Sequence, residues 1–232
     1  MDRRAVIDIG TNSIKLYVAE RAPDGSLGSI IDRNNIARLG EGMDDSGILK
    51  AEAIERNARA VAGFVDLARA NGAGEIVAVG TMALRTAKNA ADFVSAVQSL
   101  SGIGVQVIPG EEEAELAYLA VLSGIGASVG RLVVCDVGGG STEFIFGGEA
   151  GIDRRFSINL GAVKVSDERL SSDPPSSEQV KAATSFVLDA LTANRVDAEL
   201  PIDRLIGIGG TVTSMGSVKL KMAEYDPDLI QG

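Results

Sequence analysis

The sequence of 232 residues contains no histidine, no tryptophan and a single cysteine, Cys135. Without histidine the chain lacks the commonest zinc ligand and the commonest general base, and one cysteine excludes both an internal disulfide and a cluster of thiolate ligands. We therefore expect any bound metal to be a hard cation held by oxygen atoms. No stretch approaches the roughly 18 uninterrupted apolar residues of a membrane span, and the apolar run near the N-terminus is too short for a signal peptide. These absences predict a cytoplasmic protein with no membrane partner.

Positive charge and aromatic side chains are also scarce. The chain has 22 Lys and Arg against 32 Asp and Glu, which gives a net charge of −10. Because nucleic-acid binding normally requires a basic surface, we expect no nucleic-acid partner. Aromatic residues make up 4% and hydrophobic residues 45% of the chain, so aliphatic side chains must fill the core. A phosphate-rich ligand would need a local basic site.

Strand-like and helix-like patterns alternate along the chain, which predicts an α/β protein. A buried strand, a glycine-containing turn and a returning strand occur in this order twice, at 5–9, 10–13 and 14–20, and at 133–137, 138–141 and 142–146. Four identities at one offset of 128 residues indicate an internal duplication: Val6 and Val134, Asp8 and Asp136, Gly10 and Gly138, and Ser13 and Ser141. We therefore predict two lobes, residues 1–124 and 125–232, with a hinge near 123–130.

Each predicted hairpin places an aspartate at the end of its first strand, beside a turn of small residues. Free backbone N–H groups in such turns bind phosphate oxygens. If the two turns oppose each other across a cleft between the lobes, they can hold a phosphate chain, and Asp8, Asp136 and Glu143 can hold Mg²⁺ directly or through water. The alternative is that both are ordinary hairpins with polar turns.

Three further segments carry candidate residues. Arg85 follows a short strand and either clamps a phosphate bidentately or is a surface arginine. Glu111, Glu112 and Glu113 begin a helix, where acidic residues are common caps, but one of them can also position a water for attack on phosphorus. At 209–211 a Gly-Gly-Thr segment joins a strand to a helix and offers another anion contact, although close helix packing explains its glycines equally well.

Five motifs, taken in order, resemble those of the Ppx/GppA phosphatase family: Asp8-Ile9-Gly10-Thr11-Asn12-Ser13, Thr81-Met82-Ala83-Leu84-Arg85, Gly110-Glu111-Glu112-Glu113-Ala114, Asp136-Val137-Gly138-Gly139-Gly140-Ser141-Thr142-Glu143 and Gly209-Gly210-Thr211. The resemblance runs essentially from end to end. It implies an actin-like fold with two ribonuclease-H-like lobes and a cleft between them. It also implies Mg²⁺-dependent hydrolysis of the terminal phosphoanhydride bond of inorganic polyphosphate, or of the 5′ γ-phosphate of pppGpp in the stringent response, with a homodimer as the expected assembly.

The resemblance also assigns roles to individual residues. Glu113 matches the catalytic base, and Asp8, Asp136 and Glu143 match the acidic residues around the metal. The residues that match the phosphate cradle, together with the last glycine-rich segment, are Thr11, Asn12, Ser13, Arg85, Gly138, Gly139, Gly140, Ser141, Gly209, Gly210 and Thr211.

Two departures from the family pattern are visible. Met82 stands where family members usually have serine, and the chain is shorter than typical members, so we expect a second lobe truncated at its C-terminus. Two other functions stay open: a kinase or ATPase of the same superfold, and a (p)ppGpp or polyphosphate sensor that binds without hydrolysis. A kinase would need a sugar-binding insert that the first lobe does not clearly offer, and retention of Glu113 with the three acidic residues argues against the sensor.

Overall fold

The computed structural model describes residues 2–43, 46–125, 130–196, 202–226 and 229–230. The chain divides into two compact units, Met1–Pro109 and Gly110–Gly232. Each unit is built on one mixed β-sheet with helices packed against it. The predicted α/β class and the predicted pair of sheet-based lobes are confirmed.

The described part of the first unit comprises β1 (Asp2–Ile9), β2 (Ile14–Arg21), β3 (Leu27–Asn35), α1 (Ala51–Ala70), β4 (Glu75–Gly80), α2 (Met82–Thr86), α3 (Ala90–Ser101) and β5 (Val105–Val107). The order of strands in its sheet is β3-β2-β1-β4-β5. Strands β1, β2 and β3 are antiparallel neighbours, whereas β4 runs parallel to β1 and β5 parallel to β4.

The core of the first unit lies on one face of this sheet. Alternate side chains of β1 and β2 point toward α1, as the period of two in a strand requires, and they are fully buried: Ile7, Ile9, Ile14, Leu16 and Val18. Helix α1 presents a matching stripe at helical spacing, Ala58, Val61, Val65 and Ala68. The intervening strand residues Val6 and Tyr17 are exposed on the opposite face.

The described part of the second unit comprises α4 (Gly110–Ile125), β6 (Leu132–Val137), β7 (Thr142–Gly148), β8 (Gly151–Ile158), α5 (Ala162–Arg169), α6 (Ser177–Ala193), β9 (Arg204–Ile208) and α7 (Gly210–Lys219). The order of strands is β8-β7-β6-β9, with β6, β7 and β8 antiparallel and β9 parallel to β6. Helix α4 packs on one face of the sheet, and α6 contributes to the core on the other.

The two hairpins repeat each other at the level of single hydrogen bonds. The N–H of Gly10 donates to the carbonyl oxygen of Ser13 at 3.0 Å, and the N–H of Gly138 donates to that of Ser141 at 3.0 Å. In both hairpins the aspartate lies opposite the residue two positions after the turn serine, so Asp8 pairs with Lys15 and Asp136 with Glu143. The offset of 128 residues found in the sequence is therefore also an offset of backbone geometry.

The structure divides the chain earlier than the sequence predicted. A boundary at residues 124 and 125 would leave α4 with the first lobe, whereas the structure groups α4 with the second sheet. The physical reason is packing, because Ala114 and Tyr118 of α4 are buried in the same core as Val134 and Ile145. Residues 126–129 of the predicted hinge lie outside the described residues.

The sequence does not predict helix α2, because its five residues are too few to show a helical period. None of the described helices is both long enough and apolar enough to cross a membrane.

Candidate active site

Two carboxylates lie side by side on the second sheet. Asp136 of β6 is the register partner of Glu143 of β7, so their side chains project from the same face at adjacent positions. Val134 and Ile145, two residues away on each strand, belong to the core beneath α4. The pair therefore lies on the α4 face, at the end of the sheet where β6 enters the glycine-rich turn.

Helix α4 brings a third carboxylate to this face. Its first turn carries Glu111, Glu112 and Glu113. Glu111 and Glu112 are exposed, whereas Glu113 is half-buried. The charge of Glu113 is close enough to Glu143 to raise the pKa of that carboxyl. Two of the three glutamates thus behave as ordinary acidic residues of a first helical turn, and Glu113 faces the carboxylate pair.

Packing farther along α4 fixes the position of Glu113. Ala114 and Tyr118 are 0% and 1% exposed, and the Tyr118 hydroxyl donates to the carbonyl oxygen of Gly148 at 3.2 Å. A Cβ on Gly147 would lie 2.6 Å from the Tyr118 hydroxyl, so only glycine admits the ring there. The end of β7 and helix α4 therefore pack closely against each other.

Glu143 has the most perturbed environment of the three carboxylates. Its residue is 1% exposed, and burial, with the charges of Glu113 and Asp136, raises its pKa to about 7. The Ser157 hydroxyl donates to Glu143 Oε1 at 2.6 Å, and hydrogen bonds from Ser157 and Ser141 act in the opposite direction, lowering the pKa. Burial is the largest cause of the raised pKa, so this carboxyl is partly protonated near neutral pH.

In the turn at 138–141 the carbonyl oxygens of Gly138, Gly139 and Ser141 are acceptors, and the N–H of Gly138 is a donor. The carbonyl oxygen of Gly138 accepts from the N–H of Ala162 at 3.0 Å, and that of Gly139 accepts from the N–H groups of Val163 and Lys164 at 2.9 and 3.1 Å. In contrast, no described backbone carbonyl accepts from the N–H groups of residues 139–141. A turn whose N–H groups at 139–141 have no described backbone acceptor favours an anionic ligand.

Close packing behind the turn holds it in this conformation. A Cβ on Gly161 would lie 2.4 Å from the carbonyl carbon and oxygen of Gly139 and 2.5 Å from the nitrogen of Gly140. The Thr142 hydroxyl also donates to the carbonyl oxygen of Leu160. The segment before α5 therefore packs directly against the turn, a role that the sequence did not reveal for Gly161.

The predicted contact at Gly209, Gly210 and Thr211 lies beside Asp136. Strand β9 is parallel to β6 and ends one residue before Gly209. A Cβ on Gly209, whose φ is +88°, would lie 2.5 Å from Asp136 Oδ1. The backbone at the start of α7 thus passes directly against the Asp136 carboxylate, so close packing is at least one reason for this glycine.

The turn at 10–13 of the first unit has the same hydrogen-bonding pattern as the turn at 138–141, but a different charge next to it. The carbonyl oxygens of Thr11 and Asn12 accept from the N–H groups of Gly40 and Arg38 at 2.9 and 2.8 Å, and no described backbone carbonyl accepts from the N–H groups of residues 11–13.

The residue opposite Asp8 gives the first turn its different charge. Lys15 Nζ lies 3.9 Å from Asp8 Oδ2. Burial raises the pKa of Asp8 and the Lys15 charge lowers it, with burial the larger effect. Lysine therefore occupies the position that holds Glu143 in the second copy.

Arg85 lies in α2 of the first unit. Its Nη1 donates to the carbonyl oxygen of Ile108 at 3.2 Å. Helix α2 begins beside the end of β1, because the N–H of Thr81 donates to the carbonyl oxygen of Ile9 at 3.2 Å. The thioether sulfur of Met82 lies 3.7 Å from the Thr11 hydroxyl, where it acts as a weak acceptor. Met82, which stands where family members usually have serine, therefore contacts the first turn directly.

The carboxylates of the second unit are the type of ligand that Mg²⁺ prefers. Among the described residues, no three acidic, histidine or cysteine side chains form a group that could hold a metal by themselves. Mg²⁺ does not require such a group, because it commonly takes one or two carboxylates and completes its shell with water and phosphate oxygens. Asp136 and Glu143 supply that pair, and a cation there would relieve the repulsion that raises the pKa of Glu143.

Comparison with known proteins identifies the group to which this arrangement belongs. The sequence profile of the Ppx/GppA phosphatase family matches residues 17–232. Exopolyphosphatase 2 of Mycobacterium tuberculosis is 33% identical, with 97% of this chain and 73% of that protein aligned. Among solved structures, the Ppx/GppA family member of Aquifex aeolicus is 33% identical, with a TM-score of 0.77 over 98% of this chain and 72% of that one.

A third comparison concerns the fold alone. An exopolyphosphatase from Cytophaga hutchinsonii superposes with a TM-score of 0.86 at 24% identity, over 96% of this chain and 72% of that one. The predicted actin-like fold class is confirmed by these structural matches and by the repeated sheet order. On the sequence profile, the relatives and the shared fold together, this chain belongs to the Ppx/GppA phosphatase family.

Proposed function

We propose that this protein hydrolyses the terminal phosphoanhydride bond of inorganic polyphosphate and releases orthophosphate. The observation that carries the proposal is the juxtaposition of Glu113 with the Asp136 and Glu143 pair beside a turn whose N–H groups have no described backbone acceptor. Exopolyphosphatases among the relatives support the choice of substrate. The 5′ γ-phosphate of pppGpp presents the same terminal phosphoanhydride and is the second substrate of the proposal.

In this mechanism the chain binds the terminal phosphate before any bond changes. The N–H groups of residues 139–141 donate to its oxygens, and Asp136 and Glu143 would hold Mg²⁺, which would neutralise phosphoryl charge. Glu143 would hold the ion as a carboxylate, after releasing to solvent the proton that burial favours by raising its pKa to about 7. The proposal includes further phosphate contacts. In the first unit they are Thr11, Asn12, Ser13 and Arg85, and at the start of α7 they are Gly210 and Thr211.

Glu113 then acts on the attacking water. Its carboxylate accepts a hydrogen bond from the water and orients it in line with the scissile bond. The water oxygen forms a bond to the terminal phosphorus, the bridging oxygen leaves with the shortened chain, and Glu113 takes the proton that the water loses. No covalent enzyme intermediate is needed, because positioning and charge neutralisation supply the catalysis.

Phosphate release from purified protein tests the proposal. Long polyphosphate, short polyphosphate and pppGpp are each incubated with the protein, with Mg²⁺ and with a chelator in excess. We expect release of orthophosphate from polyphosphate with Mg²⁺ and none with the chelator. If polyphosphate binds tightly but is not hydrolysed under either condition, the hydrolase proposal is wrong and a sensor function replaces it.

A further inference from the structure

The segment that follows β3 is tied to the first turn by its backbone. The N–H of Arg38 donates to the carbonyl oxygen of Asn12 at 2.8 Å, and the N–H of Gly40 donates to that of Thr11 at 2.9 Å. A Cβ on Gly40 would lie 2.4 Å from Thr11 Cγ2, so the two segments are in direct contact. Whatever the Gly10–Ser13 turn binds, the side chain of Arg38 starts next to it.

The backbone around Arg38 is held on both sides. Ala37 and Leu39 are 3% and 0% exposed. Arg56 donates from Nε to the carbonyl oxygen of Ala37 at 2.8 Å and from Nη2 to that of Arg38 at 3.2 Å, and Asn57 Nδ2 donates to Ala37 as well, at 2.8 Å. Two buried neighbours and three donated hydrogen bonds leave the position of the Arg38 Cα little freedom. The Arg38 side chain therefore starts from a Cα whose position is fixed.

Arg38 adopts a conformation that its residue type disfavours. Its φ is 51°, in the left-handed region, where a side chain costs free energy that glycine would not. The other described non-glycine residues with positive φ are Arg195 and Lys221, and each directly follows the C-cap of a helix, α6 or α7. A left-handed residue there is the ordinary way to end a helix. Arg38 follows a strand, so helix termination does not explain it.

The guanidinium of Arg38 is available for a ligand. The residue is exposed, and within the described ranges no carboxylate, carbonyl oxygen or ring receives its side chain. The acidic residue nearest in sequence, Glu41, pairs with Arg56 instead, at 2.8 Å. A planar guanidinium matches two phosphate oxygens at once.

We propose that Arg38 binds a phosphate group of the substrate next to the phosphate held by the Gly10–Ser13 turn. The inference rests on the proposed function, since it assumes that the turn binds a phosphate chain, and it adds a contact that none of the recognised motifs contains. The left-handed backbone of Arg38, hydrogen-bonded to Asn12 at 2.8 Å, starts this side chain next to the turn. The ligand class is a chain of at least two linked phosphates, as in polyphosphate or a nucleoside polyphosphate.

Three variants separate this role from a structural one. Arg38→Gly removes the guanidinium and relieves the backbone, Arg38→Lys keeps a charge without the fork, and Arg195→Gly makes the same change at a left-handed arginine in the other unit. We expect Arg38→Gly to raise KM and the calorimetric Kd for long polyphosphate about tenfold or more, because a charge-assisted hydrogen bond is lost. Its kcat should change less than about threefold, and its melting temperature should be equal or higher. The Kd of Arg38→Lys should lie between those of the wild type and Arg38→Gly. The Kd of Arg195→Gly should equal that of the wild type.

The two proposals fail in different ways. If the wild type binds polyphosphate without hydrolysing it, the proposed function fails, and the Kd values of the variants still decide the role of Arg38. An unchanged Kd in Arg38→Gly, or an equal loss in Arg195→Gly, would overturn the inference. So would a wild type that binds no polyphosphate at all.

Discussion

At the scale of single residues, the chemistry depends on how Glu143 is surrounded. Glu143 is buried beside two other acidic residues, and its hydrogen bonds from serine hydroxyls only partly offset that cost. Its pKa of about 7 in the folded protein lies above the ordinary value of 4.5. The folded state therefore keeps a proton that the unfolded chain loses, which stabilises the fold fully below about pH 4.5. That contribution is lost as the pH rises through about 7.

This sign gives a prediction for Glu143→Gln, which removes the charge and keeps the size of the side chain. Without Mg²⁺ at pH 8, we expect the variant to have a free energy of unfolding about 2–3 kcal/mol larger than that of the wild type, and therefore a higher melting temperature. Both differences should shrink toward pH 5. Thermal unfolding followed by circular dichroism at both pH values measures it. Glu149→Gln, at an exposed glutamate in the turn after β7, is the control. A difference independent of pH would show that Glu143 does not hold its proton.

The same residue gives a test of the metal site. If Asp136 and Glu143 hold Mg²⁺, the ion should raise the melting temperature of the wild type at pH 8 and should raise that of Glu143→Gln much less, because one ligand is lost. A titration with MgCl₂ at constant ionic strength, against the same titration of Glu149→Gln, measures the effect. Equal shifts in all three proteins would place the metal elsewhere.

At the scale of elements, the site consists of a turn and the segments that support it. The carbonyl oxygens of Gly138 and Gly139 accept from N–H groups at the start of α5, and Gly161 lets that segment approach closely enough. In the first unit, the segment around Gly40 supports the other turn in the same way. Each turn therefore owes its conformation to a partner distant in sequence, which is why sequence reasoning found the turns and not their supports.

Gly161→Ala tests the support of the second turn. The added methyl group would lie 2.4 Å from the Gly139 backbone, and because backbone cannot rotate away, the turn must shift. We expect a loss of about 1–3 kcal/mol in free energy of unfolding together with a loss of phosphate release. Gly124→Ala, in α4 of the same unit, is the matched control, since a methyl group there meets no atom within 4 Å. Full activity of Gly161→Ala at a temperature where it is folded would show that the turn tolerates displacement.

At the scale of the whole molecule, two copies of one hairpin have diverged in charge. Asp8 faces Lys15 in the first copy, and Asp136 faces Glu143 in the second. The second copy has two adjacent carboxylates, whereas the first has a cation, Lys15, opposite its aspartate. The offset of 128 residues already places Lys15 on Glu143 in the sequence, so this difference could have been found there.

Local patterns carried most of the prediction of the fold. The hairpins, the helices longer than about two turns and the glycine-rich turns follow from residue periodicity and turn chemistry, and the structure contains them. The sheet on which α4 packs, the contact of Ser157 with Glu143 and the left-handed Arg38 depend on residues far apart in sequence. Periodicity within one segment contains no information about such contacts.

The most direct test of the account compares Glu113→Gln with Glu111→Gln. Both glutamates lie in the first turn of α4, where each contributes a similar charge to the helix, but only Glu113 faces Glu143. At saturating polyphosphate and Mg²⁺ we expect Glu113→Gln to lose at least about 100-fold in kcat with little change in the Kd for polyphosphate, and Glu111→Gln to match the wild type. A Glu113→Gln variant that keeps more than about a tenth of the wild-type kcat would contradict the role of Glu113 as the base.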